Sequence, residues 1–343
     1  MKAPLTRQAT WLLKTLATLV ATLAGLLLVT FVIGRVMPID PVVAVVGNKA
    51  SAATYAQVRE ALGLDQPVWV QFGRYIAGIA HGDIGRSTLT GRPVAQDIAR
   101  VFPATLELSS VAILIGVACG IPLGLYAAHR CNQWPDHVIR CLSLVGYSTP
   151  IFWLGLIALL IFYAELQWVG GPGRIDIAYR YTVPTWSGLL LVDSLQAGNL
   201  VAFRSALSHL VLPASLLGYF SIAYIARMTR GFIIEELGKE YVTTARLKGA
   251  SEARVLWRHV LPNVLVPTVT VIALSFGQLL EGTVLTETVF AWPGLGLYIT
   301  NGLFAADLPA VLGGTLVVGA CFVVLNKAVE LAYPLLDPRT GAP

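Results

Sequence analysis

The sequence predicts an all-α integral membrane protein with six transmembrane helices, an external cap after the first helix and a helical cytoplasmic loop between the fourth and fifth. Of its residues, 56% are hydrophobic and only 13% are charged, and the mean hydropathy is +0.70, unlike a soluble domain. Six long stretches lack charged residues, and a helix needs roughly 20 apolar residues to cross a bilayer. They are Thr15–Gly34, Leu108–Ala128, Cys141–Ala164, Leu210–Ala226, Val260–Leu280 and Leu308–Asn326.

The first stretch, within residues 1–36, resembles a signal peptide because Lys2, Arg7 and Lys14 precede it. It is longer than a typical signal sequence and has no Ala-x-Ala cleavage site, so we predict an uncleaved helix. The segment 37–104 that follows is too long for a plain connector. It contains a helix-like stretch, Thr54–Leu62, closed by Gly63, and therefore predicts a small external cap.

Lysine and arginine predict the orientation, because they are more frequent in cytoplasmic loops. With the N-terminus inside, the inner segments carry thirteen of them and the outer loops after helices three and five carry three. The loop 35–103 carries seven more, but the rule gives little weight to a loop of that length. Both termini are therefore predicted to be cytoplasmic. The second outer loop, Glu165–Ser205, is rich in Gly, Pro, Trp and Tyr and predicts ordered irregular structure or an interfacial belt. Pro150 predicts a bent or broken third helix.

The inner loop Gly231–His259 has helical periodicity. Spacings of three and four residues relate Leu237, Tyr241, Thr244, Ala245 and Lys248. This pattern predicts a short amphipathic helix that Gly249 ends, followed by a second helix that Ser251 caps. By itself, a charged amphipathic loop is more often only a solvated or headgroup-facing element.

The residues of this loop resemble those of a known family. The run Glu240-Tyr-Val-Thr-Thr-Ala-Arg-Leu-Lys-Gly249-Ala-Ser, followed by Arg258-His259-Val-Leu-Pro262-Asn263, resembles the ATPase-docking loop of binding-protein-dependent ABC importer permeases of the dipeptide, oligopeptide and nickel type. The chain departs from the general pattern at Thr243, Thr244, Ala245 and His259. Further matches to the first permease of that family, in order, are Asp40-Pro41, Leu62-Gly-Leu-Asp65-Gln-Pro67, His81-Gly-Asp-Ile-Gly85, Phe102-Pro-Ala-Thr-Leu-Glu107, Gly146-Tyr-Ser-Thr-Pro150-Ile-Phe-Trp153, Ala226-Arg227-Met-Thr-Arg230, Thr286-Glu287-Thr-Val-Phe-Ala-Trp292-Pro-Gly294-Leu-Gly296 and Asp337-Pro-Arg339.

The resemblance implies a permease core over residues 105–343, with a coupling loop at 231–259, in a bacterial inner membrane. It implies as partners a second similar permease, two ATP-binding cassette subunits and a periplasmic solute-binding protein. The chain itself is expected to bind no cofactor, and ATP and Mg²⁺ are expected on the ATPases, because its Gly238-Lys239 pair lacks the rest of a phosphate loop. The residues expected to couple to the ATPase are Glu240, Tyr241, Ala245, Arg246, Lys248, Gly249 and Ser251.

Polar residues in the spans are candidates for the translocation path. Neutral, wettable groups favour a di- or oligopeptide over a bare metal ion, and the path candidates are Tyr147, Ser148, Tyr219, Gln278 and Glu281. Gln278 and Glu281 could equally form an interhelix hydrogen bond. The expected outer mouth comprises Glu287, Trp292, Pro293 and Gly294.

Other sites are weaker. His209 is expected to be a packing residue. Lys327 and Glu330 are expected to form an ion pair on one helix face, and the four cysteines are expected to be free thiols. No metal site is predicted. An importer of nickel or another small solute remains an alternative, and a stand-alone secondary transporter is disfavoured because neither internal repeats nor buried charges stand out. Ser148 has no histidine partner for an intramembrane hydrolase.

Overall fold

The computed structural model describes residues 5–36, 41–47, 50–61 and 63–336. This part of the chain is helical, and its one β feature is an isolated bridge between Arg86 and Pro93. The predicted all-α class is confirmed. The α-helices are α1 (Leu5–Val36), α2 (Pro41–Val46), α3 (Ala52–Ala61), α4 (Val68–Ala80), α5 (Val94–His129), α6 (Trp134–Ser148), α7 (Ile151–Ala158), α8 (Leu190–Gln196), α9 (Leu200–Leu237), α10 (Glu240–Leu247), α11 (Glu252–Arg254), α12 (Leu265–Val289), α13 (Leu295–Phe304) and α14 (Leu308–Leu336).

Segments of π-helix and 3₁₀-helix adjoin α7, α11 and α12. A π-helical turn, Leu159–Glu165, extends α7, and the segments Val255–Val260 and Leu261–Val264 join α11 to α12 as a π-helical and a 3₁₀ turn. A further 3₁₀ turn lies at Ile177–Tyr179. The chain from Glu252 to Val289 therefore forms one long span.

Five described helices are long and apolar enough to cross a membrane, and a sixth span forms if the bent pair Trp134–Ser148 and Ile151–Glu165 counts as one. The pair is bent by 99°. The bend lies at Thr149 and Pro150, because proline forces the preceding residue out of the helical region, and Thr149 is extended with ψ 130°. The predicted break in the third helix is confirmed.

Several helix, loop and domain boundaries differ from the predicted ones. Helix α9 begins at Leu200 and ends at Leu237, so the predicted outer loop is six residues shorter at its C-terminal end, and Gly231 lies in the helix. The predicted cap helix is α3, which begins two residues earlier; Leu62 lies outside the described residues, and Gly63 follows with φ +65°. The predicted domain limit at residue 104 lies inside α5.

The chain divides into two compact units, the first comprising the described residues of 1–101 and 298–324. In this unit α1 packs on α4, where the ring centroids of Phe31 and Phe72 lie 5.1 Å apart and the hydroxyls of Thr30 and Tyr75 lie 3.1 Å apart. Asp307 accepts hydrogen bonds from the Ser87 hydroxyl and from the Leu89 amide.

The second unit comprises 102–297 and the described residues of 325–343. Its core joins α5, α9 and α12 through one cluster of buried side chains: Ala104, Leu108, Ala112, Leu210, Ala214, Leu217, Leu279 and Trp292. Gly116, Gly120 and Gly124 repeat every fourth residue along α5. A methyl group at each would meet Ser221, Ile225 or Ala226 of α9, so the three glycines let the two helices approach closely.

Candidate functional site

The segment Glu236–Asn263, which we call the knob, folds between α9 and α12 around its own apolar cluster. Val242 and Val255 are fully buried. They pack with Ile233 of α9 and with Leu256 and Val260 of the π-helical turn. Burial of this kind is typical of a folded element rather than of a solvated loop, because apolar surface removed from water stabilises a fixed arrangement.

A hydrogen-bonded group at Tyr241 holds the base of the knob together. The Tyr241 hydroxyl donates to Glu236 Oε1 over 2.9 Å and accepts from Asn263 Nδ2 over 3.0 Å. Asn263 Nδ2 also donates to the His259 carbonyl at 2.8 Å. Burial and the bond to Glu236 raise the pKa of Tyr241 above its ordinary value. The phenol thus stays neutral, and from α10 it joins the end of α9 to the 3₁₀ turn that precedes α12.

The turn after α10 has the geometry that the glycine predicts. Gly249 has φ +82°, and the Ala250 amide donates to the Ala245 carbonyl at 3.1 Å. Ser251 Oγ accepts a bond from the Arg254 amide over 3.4 Å. The predicted glycine break and serine cap are therefore both present. No atom lies within 4 Å of where a Cβ at Gly249 would be, so its left-handed backbone, not crowding, requires glycine.

The far end of the knob is exposed and carries an apolar side chain. Leu247 is 84% exposed, beside the exposed Arg246 and Lys248. Arg246 forms a forked ion pair with Glu252, at 2.8 and 3.0 Å, which braces the turn. A single exposed apolar side chain is ordinary on a protein surface, so it is the rigid base beneath Leu247 that makes this end of the knob a candidate for docking.

The structure separates the predicted coupling residues into two groups. Glu240, Arg246, Lys248, Gly249 and Ser251 are exposed, whereas Tyr241 and Ala245 are half-buried and pack inside the knob. Sequence reasoning missed Val242, Leu247 and Asn263. The signal for Leu247 was an apolar residue on the polar side of the α10 helix.

The predicted path residues lie on α6, α9 and α12. Tyr147, Ser148, Gln278 and Glu281 are exposed in this chain. Tyr219 is only partly exposed, because its hydroxyl donates to the Leu142 carbonyl over 2.7 Å and its ring lies where a side chain at Gly146 would be. Tyr219 therefore fastens α6 to α9. No described residue forms a hydrogen bond with the side chain of Gln278 or Glu281, so the interhelix bond considered above is absent within this chain's described part.

The predicted outer mouth is largely buried. Glu287 is fully buried and Trp292 is 1% exposed, Gly294 is buried, and Pro293 is exposed. Glu287 Oε1 accepts from the Thr105 hydroxyl at 2.6 Å, and Oε2 accepts from the Leu297 amide at 2.9 Å. These side chains fix the turn after α12, so they can shape a mouth through the backbone rather than line it.

Two carboxylates that the sequence analysis did not single out are buried. Asp136, which is fully buried, accepts two bonds from Arg230, at 2.6 and 2.7 Å. Glu107 accepts from the Arg174 guanidinium and, at 2.7 Å, from the Leu191 amide. The sequence analysis considered buried charges only as groups that couple ions, and it did not identify these pairs. Each of these charges has a partner, as buried charges require, and the pairs have a structural role.

The remaining expectations concern isolated groups. His209 is buried within α9, not at its start, and its Nδ1 lies 2.7 Å from the Ser205 carbonyl, as a packing residue would. Lys327 and Glu330 form the predicted ion pair. The four cysteines are free thiols. In the described part of the chain, no group of three or more His, Cys, Asp or Glu could hold a metal ion.

Comparison with known proteins covers nearly the whole chain. Residues 120–342 match the family described as binding-protein-dependent transport system inner membrane component, and residues 9–109 match the N-terminal family of such membrane components. The chain is similar to a probable D,D-dipeptide transport system permease protein, DdpB, of Escherichia coli K12, with 44% identity over 94% of this chain and 95% of that protein.

Two further relatives have similar names. A di/tripeptide transport system permease protein, DppB, of Pseudomonas aeruginosa is 40% identical over 94% of this chain and 96% of its own length. The dipeptide transport system permease protein DppB of Escherichia coli K12 is 39% identical over 96% of this chain and 98% of its own length.

Proposed function

The chain belongs to the family of inner membrane components of binding-protein-dependent transport systems, and we propose that it is the permease subunit of an ATP-driven importer of di- or oligopeptides. The proposal of cargo is supported by relatives that cover 94–96% of the chain and are named for dipeptide or di/tripeptide transport. A second, similar permease supplies the other half of the path.

The knob is the proposed docking site for an ATP-binding cassette subunit. The observation that carries this proposal is the contrast between its rigid base, tied through Tyr241, and its exposed end at Leu247. A rigid element seated in a cleft of an ATPase follows that ATPase when it closes, and the knob passes the movement to α9 and α12. ATP and Mg²⁺ bind and react on the ATPase subunits, and this chain has no catalytic role.

The other partners and the orientation follow from the same proposal. Both termini face the cytoplasm, as the excess of lysine and arginine in the inner segments favours. The cap and the segment 165–199 face the periplasm, where a solute-binding protein delivers the cargo. Tyr147, Ser148, Gln278 and Glu281 line the path with mostly neutral groups, and the turn after α12 shapes its outer mouth.

Docking at the knob is tested by replacing Leu247 with serine. Reconstituted with its partners, Leu247→Ser is expected to lose most ATPase binding and uptake, because an exposed anchor of this kind contributes about 1–2 kcal/mol or more. Leu195→Ser is the matched control, since Leu195 is 52% exposed on α8 outside the knob. Equal ATPase binding by both variants would reject the knob as the docking site.

The cargo is tested by uptake of labelled dipeptides and of nickel in parallel by the reconstituted complex. Dipeptide uptake that requires ATP supports the proposal. Nickel uptake that dipeptides do not compete, with no dipeptide uptake, would replace it with the nickel importer. Transport by this chain alone, without an ATPase, would instead support a secondary transporter.

The orientation is tested by labelling single cysteines from outside the cell. Cysteines at Ser51 and Gln196 are expected to react, and those at Ser251 and Thr340 are not. The reverse pattern would invert the topology without affecting family membership.

A further inference from the structure

A cavity of about 420 Å³ lies between α6 and α9, and none of its lining residues belongs to the knob. Both polar and apolar side chains line it. The polar members are His137, Arg140, Ser143, Tyr147, Arg227 and Arg230. Ile139, Leu144, Ala223 and Ala226 supply an apolar wall. The cavity therefore combines cationic groups with hydrocarbon at the edge of two membrane-spanning segments.

Two arginines three residues apart on α9 have opposite environments. Arg230 is neutralised by Asp136, which accepts two of its N–H groups. Arg227 has no carboxylate partner among the described residues. Its guanidinium lies instead over the rings of Tyr147 and Tyr224, with Cζ 5.1 and 5.9 Å from the centroids. The two rings orient the cation without cancelling its charge.

Arg140, on α6, is the second guanidinium that lines this cavity, and it lies within electrostatic range of Asp136 without forming an ion pair with it. It is exposed, and it forms no ion pair within the described part of the chain. The cavity thus has two guanidiniums on facing helices that form no ion pair among the described residues, because Asp136 is already paired with Arg230. Guanidinium N–H forks match the oxygens of a phosphate or a carboxylate, so the chemistry selects an anion.

The lining residues favour a net anion over a zwitterion as the ligand of this cavity. A peptide would bring an ammonium group that needs an acceptor, but the carboxylate nearest these residues, Asp136, is occupied by Arg230 and by the Asn132 amide. No carboxylate is among the lining residues. A ligand whose negative charge is not balanced by a nearby cation therefore fits better than a free peptide.

The surroundings of the cavity are apolar and exposed. Leu144 is 65% exposed and Val145 is 50% exposed on α6, so hydrocarbon lies beside the cationic lining. Basic pockets between membrane helices bind anionic lipid headgroups. We infer that this cavity binds an anionic phospholipid, with its phosphate at Arg140 and Arg227 and an acyl chain along Leu144.

The test uses the full-length chain, purified in detergent with any subunits that accompany it. Binding of dihexanoyl phosphatidylglycerol is measured by native mass spectrometry and by the shift in the unfolding temperature. The double variant Arg140→Gln/Arg227→Gln is expected to bind about thirtyfold more weakly, since each cation near an anionic headgroup contributes roughly fivefold. Arg204→Gln is the matched control, because Arg204 is exposed on the same helix and does not line the cavity.

Binding of two lipids to the wild-type chain is also compared, so that the test does not depend on the folding of the double variant. Preference for phosphatidylglycerol over dihexanoyl phosphatidylcholine supports it. Equal binding of the two lipids, or unchanged binding by a folded double variant, would overturn it. Saturation by inorganic phosphate alone would show that the cavity is a free-anion site. Competition by dialanine would show that it is a cargo site. Either result would overturn the assignment of a phospholipid.

Discussion

The knob and the turn after α12 lie at opposite ends of the same helix, and they use polar groups in different ways. In the turn, Glu287 and Trp292 are buried and their polar atoms are bonded within the chain. In the knob, the base is bonded in the same way through Tyr241, but Leu247 and its charged neighbours are exposed. At the C-terminal end of α12 the polar side chains bond within the chain, whereas at the N-terminal end the knob presents exposed side chains above a hydrogen-bonded base.

Among these residues, Glu287 should contribute most to stability. Glu287→Ala leaves the Thr105 hydroxyl and the Leu297 amide without an acceptor in a buried site. We expect a loss of about 2–4 kcal/mol of unfolding free energy, because unsatisfied buried donors are costly. Glu281→Ala, at an exposed position of the same helix, should change it by less than about 0.5 kcal/mol. Thermal unfolding in detergent measures both, and similar midpoints would contradict the structural role of Glu287.

Two glycines give the next largest contrast. A methyl group at Gly294 would overlap Glu287 and Thr105, so Gly294→Ala should cost about 1–3 kcal/mol through overpacking. At Gly249 there is space, and the substitution Gly249→Ala meets only the cost of φ +82°, about 1 kcal/mol. Gly249→Asn should cost less than Gly249→Ala, because asparagine tolerates this backbone. If Asn proves worse than Ala, crowding by a neighbour rather than backbone conformation would explain the glycine.

Sequence reasoning identified what depends on composition and local spacing. The apolar spans, the break at Pro150, the turn at Gly249 and the cap at Ser251 all follow from neighbours within a few residues, and the motif resemblance is confirmed by the family. It missed contacts between distant positions. Glu287 meets Thr105 182 residues away, and Asp136 meets Arg230 94 residues away. Hydropathy treats each such residue as an isolated charge, so it cannot show that the charge is buried and paired.

A buried carboxylate also orders the segment between α7 and α9, and it should make stability depend on pH. Burial raises the pKa of Asp193, but hydrogen bonds from Ser187, Gly188 and Trp186 outweigh it and hold the pKa below its usual value. This stabilisation is therefore complete above the unfolded-state pKa of about 4 and is lost as pH falls through the lower folded-state pKa. Asp193→Asn should lose about 1–2 kcal/mol at neutral pH.

The measurement is the unfolding temperature of wild type and Asp193→Asn between pH 7 and pH 3. The difference between them should shrink as the pH falls, because protonation removes the charge that only the wild type has. A difference that stays constant to pH 3 would show that the carboxylate form of Asp193 does not carry the effect.

The corresponding carboxylate in the knob should matter least for stability. Glu252 and Arg246 form a forked pair, but their side chains are 48% and 41% exposed, and exposed pairs contribute about 0.2–1 kcal/mol. Glu252→Gln should therefore change the unfolding free energy by about 0.5 kcal/mol, and less in high salt because the charges are screened. The double variant Arg246→Glu/Glu252→Arg restores opposite charges across the turn and should recover most of that loss. A loss of several kcal/mol for Glu252→Gln would mean that the exposed end of the knob is as tightly fixed as the turn after α12.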